Sequence, residues 1–274
     1  VNDENEGVWM TLSDNPAGFL SLGPAANGRA IMTPDRAALW WLSLDRIGDR
    51  DWQDLKGLLT EAERARSERF HFEGDRQVYI AAHATCRGLL SYCTGHAPLS
   101  WDFSVEDHGK PELVCPPGGP RLRVNISHTR GLAAAALTVE HDIGVDVEWL
   151  QRTTPAEKLA ERVFAEPERK VLAAAPEQRK LDTFLTFWTL KEAYVKAIGK
   201  GLSQPLDAFS FDLETLRIRF DDRLADDPEH WHFERYSPGP DHLMALAIRH
   251  PDPARLAVDA MPAPLDWLRD LAGK

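Results

Sequence analysis

Residues 143–149 read Ile-Gly-Val-Asp-Val-Glu-Trp, and the reading of this stretch settles how the rest of the chain is read. Side chains on a strand alternate between faces, so Val145 and Val147 point one way while Asp146 and Glu148 project together the other way. Upstream, Leu122 to Ser127 and Ala133 to Val139 read as strands, and the continuously apolar, Trp-rich run Ala37 to Leu44 as a buried one. Between them, Thr60 and Glu63 have the capping-box spacing of a helix that Gly74 ends. A second helix runs from Asp75 as cap to about Tyr92, with Gly95 as stop. Downstream, Pro167 opens a helix in its first turn, and the longest helix spans about Arg179 to Ile198 with Gly199 as its cap. Residues 209–213, 216–220, 231–236 and 243–248 supply late strands. Strands and helices mix on both sides of 143–149, which makes this an α/β (α+β) chain.

Composition bounds what such a chain can do. Its 274 residues allow one large domain or two smaller ones, at roughly 100–200 residues per domain. Apolar (43%) and charged (27%) residues exclude global disorder and fibrous repeats. With 32 basic against 43 acidic residues the net charge is -11, which argues against coating nucleic acid or an anionic membrane; a local basic pocket stays open. Cys86, Cys93 and Cys115 form no CxxC pair, so neither a disulfide framework nor a structural zinc site is expected. Asp3, Glu4 and Glu6 stand where a secretory signal would be basic, and the most apolar run, Leu132 to Val139, is too short to span a bilayer. The expectation is a soluble cytoplasmic protein without a nucleic-acid or membrane partner.

A faint repeat divides the chain. Glu63-Arg64 at a helix start recurs at Glu168-Arg169, and the cationic helix position Arg87 recurs at Lys191, with offsets of 105 and 104 residues. Chance and a duplicated unit both account for two such matches. Duplication would place the boundary near His141-Asp142, giving a first half over residues 36–140 and a second over 141–250. Residues 1–35, rich in Gly and Pro, form an N-terminal extension without an assigned role, and residues 251–274 a Pro-rich tail.

Chemistry concentrates at four places. Two carboxylates side by side, Asp146 and Glu148, repel unless a cation lies between them, and hard oxygen ligands suit magnesium; the alternative is a solvated strand face. On the longest helix the apolar stripe Leu181, Phe184, Leu185 and Trp188 resumes at Val195, and Lys191 and Glu192 fall where buried residues should be. Buried charges must meet each other, a metal or a ligand charge, unless the helix emerges into solvent there. Lys196 shares a helix side with Glu192. Asn125-Ile126-Ser127-His128-Thr129 ends a strand in a polar cluster. It lacks the Gly-flanked elbow of a nucleophilic serine, which leaves hydrogen bonding to an anionic ligand or the capping of a turn. Gly109-Lys110-Pro111 is by itself a turn carrying a cation.

Together these pieces resemble the Sfp-type 4'-phosphopantetheinyl transferase family. Its G-[IV]-D-[IV]-E pattern matches Gly144 to Glu148, and W-x-x-K-E-[AS]-x-x-K matches Trp188, Lys191, Glu192, Ala193 and Lys196. G-K-G-L matches Gly199 to Leu202, and the upstream G-K-P and N-x-S-H-[ST] elements are present in the family's order. The resemblance runs from roughly Ala37 to Ile248. One position departs: relatives often carry D-R-x-R after the position of Asp75, whereas this chain has Arg76 but Val78.

The resemblance implies two similar α/β halves related by a pseudo-twofold axis, with coenzyme A in the cleft between them. It implies that Asp146, Glu148 and Glu192 hold Mg2+ against the coenzyme A pyrophosphate, while Lys191 and Lys196 contact phosphates. Lys110, with the adjoining Pro111, and Ser127, His128, Arg69 and Arg76 would engage the remaining phosphates and the adenosine part. The implied reaction moves 4'-phosphopantetheine from coenzyme A to a serine of an apo acyl or peptidyl carrier protein, releasing adenosine 3',5'-bisphosphate. Glu192 takes the serine proton directly or through a metal-bound water. Two halves of one chain complete such a cleft, so a monomer is expected. Two competitors stand beside this reading: a magnesium phosphotransferase acting on a small molecule, and a catalytically silent module that binds carrier or coenzyme.

Overall fold

A computed structural model describes residues 32–105, 111–115 and 119–273. The first half opens with strand β1 (Arg36–Ser43), followed by helices α1 (Asp51–Gly57), α2 (Glu61–Ser67) and α3 (Glu73–Thr94). Short strands β2 (Phe103–Val105) and β3 (Pro111–Leu113) precede the long hairpin β4 (Leu122–Thr129) and β5 (Leu132–Val139). The second half repeats the order: β6 (Ile143–Trp149), α4 (Ala156–Val163), α5 (Glu166–Ala174), α6 (Lys180–Ile198), β7 (Phe209–Asp212), β8 (Arg217–Phe220), β9 (Trp231–Gly239) and β10 (His242–Arg249). Strand β11 (Ala257–Pro262) and helix α7 (Leu265–Ala272) follow.

Sheet order repeats as well. The first sheet runs β11-β1-β5-β4 and the second β6-β10-β9, so β1-β5-β4 corresponds to β6-β10-β9, with antiparallel neighbours throughout both triplets. The sheets meet through Leu39, Ala134 and Ala136 on one side and Val145, Leu246 and Ile248 on the other, which form one shared apolar core. Helix α3 covers the opposite face of the first sheet, and α6 that of the second.

The faint repeat is thus an equivalence in space. In each half a glutamate at the third helical position folds back to its own N-cap backbone N–H: Glu63 to Thr60 at 2.8 Å and Glu168 to Ala165 at 3.0 Å. Each then pairs with the cation of the long helix, Glu63 with Arg87 and Glu168 with Lys191, both at 2.8 Å. Both cations also donate to backbone carbonyls, Arg87 to Pro98 and Trp101, Lys191 to Leu206 and Phe209. Both long helices end at a left-handed glycine, Gly95 and Gly199, where an L side chain would be strained.

Three local expectations change. The helix begun at Thr60 ends at Ser67 rather than at Gly74, and α3 starts at Glu73 behind Phe72 rather than behind Asp75, because the chain turns between the two. Residues 251–274 are no appendage: β11 pairs in parallel with β1, and α7 packs Leu265 and Leu268 into the first core. Tertiary burial overrides the prolines, which sit beside these elements or at a strand end. The expected N-terminal extension lies outside the described residues up to residue 31. Among the described residues no helix is long and apolar enough to cross a membrane.

The contact that places the chemistry is the approach of α6 to β6. A Cβ on Gly144 would lie 2.0 Å from the Ala193 carbonyl oxygen and 2.5 Å from the Ala197 nitrogen, both backbone atoms that cannot rotate away. Gly144→Ala should therefore push α6 off the strand and cost on the order of 1–3 kcal/mol or more in urea unfolding, the scale of an overpacked core. Unfolding at the wild-type midpoint would show that the helix can yield.

Candidate active site

Edge strand β4 lies beside edge strand β6, and side chains take the place of a backbone ladder between them. Asn125 Oδ1 accepts the Val145 N–H at 2.9 Å, and Ser127 Oγ accepts the Val147 N–H at 3.2 Å. This seam holds Asp146 and Glu148, both buried, on the face toward α6. Lys196 reaches across: its Nζ donates to Asp146 Oδ1 at 2.7 Å, Ser127 Oγ at 2.8 Å and the Val145 carbonyl at 3.2 Å. Ser127 Oγ completes its set by donating to Asp146 Oδ1 at 3.2 Å. Its protons and lone pairs are committed to orienting neighbours, which is the role of a positioning group and not of a nucleophile.

Glu148 pairs with Arg152 at 2.6 Å. A cleft of about 330 Å³ opens here, lined by Ser127, His128, Asp146, Glu148, Arg152 and Lys196 among others. Burial pushes the Asp146 carboxyl above its ordinary pKa against the pull of Lys196 and Ser127. Burial and the Asp146 charge push Glu148 up, against Arg152 and Trp188. Glu192 is raised by burial, then by the charge of Asp146, with Lys196 opposing and Glu148 adding. Three carboxylates thus disfavour one another's charge, while Asp146 Oδ2 is buried with no hydrogen-bond partner. Such an oxygen-only set suits a hard divalent cation. Among the described residues no three ligands are already gathered into a metal cluster. Desolvation and the Lys196 charge hold the His128 imidazole, at the cleft rim, below its ordinary pKa.

Not every residue expected in the site is there. Lys191 is fully buried on the other side of α6, between the Glu168 carboxylate and the rings of Phe209 and Phe164. Adjacent helical positions diverge by about 100°, so Lys191 faces the second core while Glu192 faces the carboxylates of β6, and Lys191 cannot reach a phosphate in the cleft. Arg69 is exposed, and Arg76 pairs with Glu73 at 2.9 Å; neither lines the cleft. Lys110 lies outside the described residues, and Pro111 begins β3. Val78, at the position often basic in relatives, is buried. Arg152 escaped sequence reading, although a cation on the turn just after a D-x-E strand, four residues past Glu148, was a usable signal.

Comparison with known proteins supplies the family. The family model described as the 4'-phosphopantetheinyl transferase superfamily matches residues 142–247, which span β6, α6 and β10. The 4'-phosphopantetheinyl transferase HetI of Nostoc sp. is 35% identical over 170 residues, covering 62% of this chain and 71% of that protein. The chain belongs to the 4'-phosphopantetheinyl transferase superfamily. Sfp of Bacillus subtilis is 27% identical to this transferase over 220 residues, covering 78% and 93% of the two chains. A putative 4'-phosphopantetheinyl transferase of Synechocystis sp. is 31% identical over 182 residues, covering 64% and 71%.

Two measurements test the assignment of charges within this transferase. Lys191→Met leaves Glu168 buried without its partner and should cost about 3–5 kcal/mol in denaturant unfolding. Adding Glu168→Gln should recover part of that loss; equal stability of wild type and Lys191→Met would deny the buried pair. Glu192, by contrast, is held above its ordinary pKa of 4.5, so the folded state binds its proton more tightly than the unfolded state. Wild-type stability then falls relative to Glu192→Gln as pH rises through and above that value. Glu192→Gln should be the more stable protein at pH 7, with its advantage shrinking as pH falls towards 4.5 and levelling off below it; an advantage independent of pH would place Glu192 in solvent.

Proposed function

We propose that this transferase moves the 4'-phosphopantetheine group of coenzyme A to a serine of an apo acyl or peptidyl carrier protein, releasing adenosine 3',5'-bisphosphate. The observation that carries the reading is the cleft lined by Asp146, Glu148 and Lys196, with Glu192 close enough to feel all three charges and one carboxylate oxygen left unpartnered. Asp146, Glu148 and Glu192 would hold magnesium, which when bound neutralises charge on a diphosphate. Lys196, held by Ser127 and Asp146, presents an ammonium where negative charge grows on the bridging oxygen. Glu192 accepts the serine proton. His128 faces the adenosine end, where an incoming phosphate would draw its imidazole toward the charged, donating form. One chain supplies every one of these groups, which supports a monomer, and the net charge of -11 supports a protein rather than a nucleic-acid partner.

The test is incubation with coenzyme A, magnesium and an apo carrier protein, read by intact-protein mass. One added phosphopantetheine per carrier is expected, with the product abolished by EDTA and restored by magnesium. Transfer unaffected by thorough chelation would remove the metal, and modification of a small molecule alone would remove the carrier. Glu192→Gln should fold and lose on the order of 100-fold or more in turnover, the scale of a general base; a near-native rate would take Glu192 out of the proton transfer. His128→Ala should weaken coenzyme A by roughly tenfold, the value of a charge-assisted hydrogen bond. It should match wild type on dephospho-coenzyme A; an equal loss on both substrates would place His128 in the scaffold.

A further inference from the structure

The two carboxylates of β6 each carry a cation, and the two cations are held in different ways. Lys196 is locked, with its ammonium committed to Ser127, the Val145 carbonyl and Asp146. Arg152 is not. Its guanidinium meets Glu148 through Nη1 and makes no other side-chain hydrogen bond or ion pair among the described residues. It lies between β6 and α4 on the cleft wall, with its side chain 40% exposed against 10% for that of Glu148. A buried carboxylate beside a second carboxylate needs a cation at all times, whether or not the site is loaded. We propose that Arg152 is a place-holding countercation: it holds Glu148 in position while the site is without a metal, and it gives Glu148 up when a divalent cation binds.

Arg152 holds Glu148 Oε2, and a guanidinium and a divalent cation on one carboxylate repel each other and divide its charge, so the two compete. Arg152 is the partner able to yield, being half-exposed and singly held, whereas displacing Lys196 would break three hydrogen bonds at once. The freed guanidinium then stands at the cleft wall, unpaired, when an anionic substrate enters with or after the metal. Arg152 is accordingly a positioning residue for the metal site, and the proposal rests on the phosphopantetheinyl-transfer reading of that site.

The test follows Mn2+ binding to the full-length protein without coenzyme A, by electron paramagnetic resonance of the free ion. Arg152→Gln should tighten Mn2+ by about three- to tenfold, the range expected when a partly exposed ion pair stops competing. Arg152→Lys, which keeps the charge but loses the planar fork, should fall between variant and wild type. Arg130→Gln is the control. Arg130 lies 4.6 Å over the Trp149 ring and pairs with no carboxylate among the described residues, so its loss changes the local field without freeing Glu148. It should shift Mn2+ affinity by less than about twofold, as a screened charge does. Circular dichroism confirms that each variant is folded. An Arg152→Gln affinity equal to or weaker than wild type overturns the proposal, as does an equal gain from Arg130→Gln. Absence of Mn2+ binding by wild type and all variants, even with coenzyme A present, would instead strike the metal reading itself.

Discussion

Everything in the cleft depends on how closely α6 lies against β6. Backbone rides on backbone at Gly144, where the Ala193 carbonyl occupies the space any side chain would need. That approach brings Glu192 and Lys196 over Asp146 and Glu148, and it gives Lys196 the reach to touch the Val145 carbonyl of the strand itself. One methyl group at this point would separate Glu192 and Lys196 from Asp146 and Glu148. The invariance demanded of Gly144 is therefore one of volume, with no positive φ involved.

The duplicated architecture shows what leaves a charged cleft in one half and a closed core in the other. Counting from the paired cations Arg87 and Lys191, Glu192 corresponds to Gly88 and Lys196 to Tyr92. Counting through the sheets, Asp146 opposite Ala245 corresponds to Trp40 opposite Ala135, and Glu148 to Leu42. The four charged positions of the second half are thus glycine and apolar or aromatic residues in the first. Helix α7 fills the resulting socket: Trp267 packs on Trp40 and Tyr92 at 5.9 and 5.4 Å, and Leu268 occupies the space that a side chain on Gly88 would take. An apolar hollow is stabilised by a helix placed in it, whereas a charged one remains open to water and ligand. Arg269 secures the plug by pairing with Asp51 at 2.7 Å.

Charge is managed differently in the two kinds of place. In the first core, Glu63 is drawn down to about 2, burial being outweighed by His83, Arg87 and the Thr60 N–H, whereas in the second core burial raises Glu168 against the pull of Lys191. In the cleft all three carboxylates are raised against the cations nearby, Asp146 by burial, and Glu148 and Glu192 by burial and the charge of neighbouring carboxylates. In the second core the Glu168 carboxylate meets the Lys191 ammonium at 2.8 Å, whereas the cleft leaves Asp146 Oδ2 buried without a hydrogen-bond partner.

The sequence by itself determined the element types around Gly144 to Glu148, the long helix capped at Gly199, and the shared face of Asp146 and Glu148. These follow from periodicities of 2 and 3.6 and from left-handed caps, which are local properties of the chain. It also carried the duplication, in two glutamate–cation spacings whose meaning was invisible until both pairs closed in space. Only the tertiary structure decided that Lys191 belongs to the core and Lys196 to the cleft. Both are lysines of one helix, and which face meets β6 and which meets Glu168 is set by packing partners far along the chain. The same holds for Arg152 on Glu148 and for the C-terminal strand and helix in the first half. Each depends on burial between segments distant in sequence, and no local pattern encodes which buried surfaces will meet.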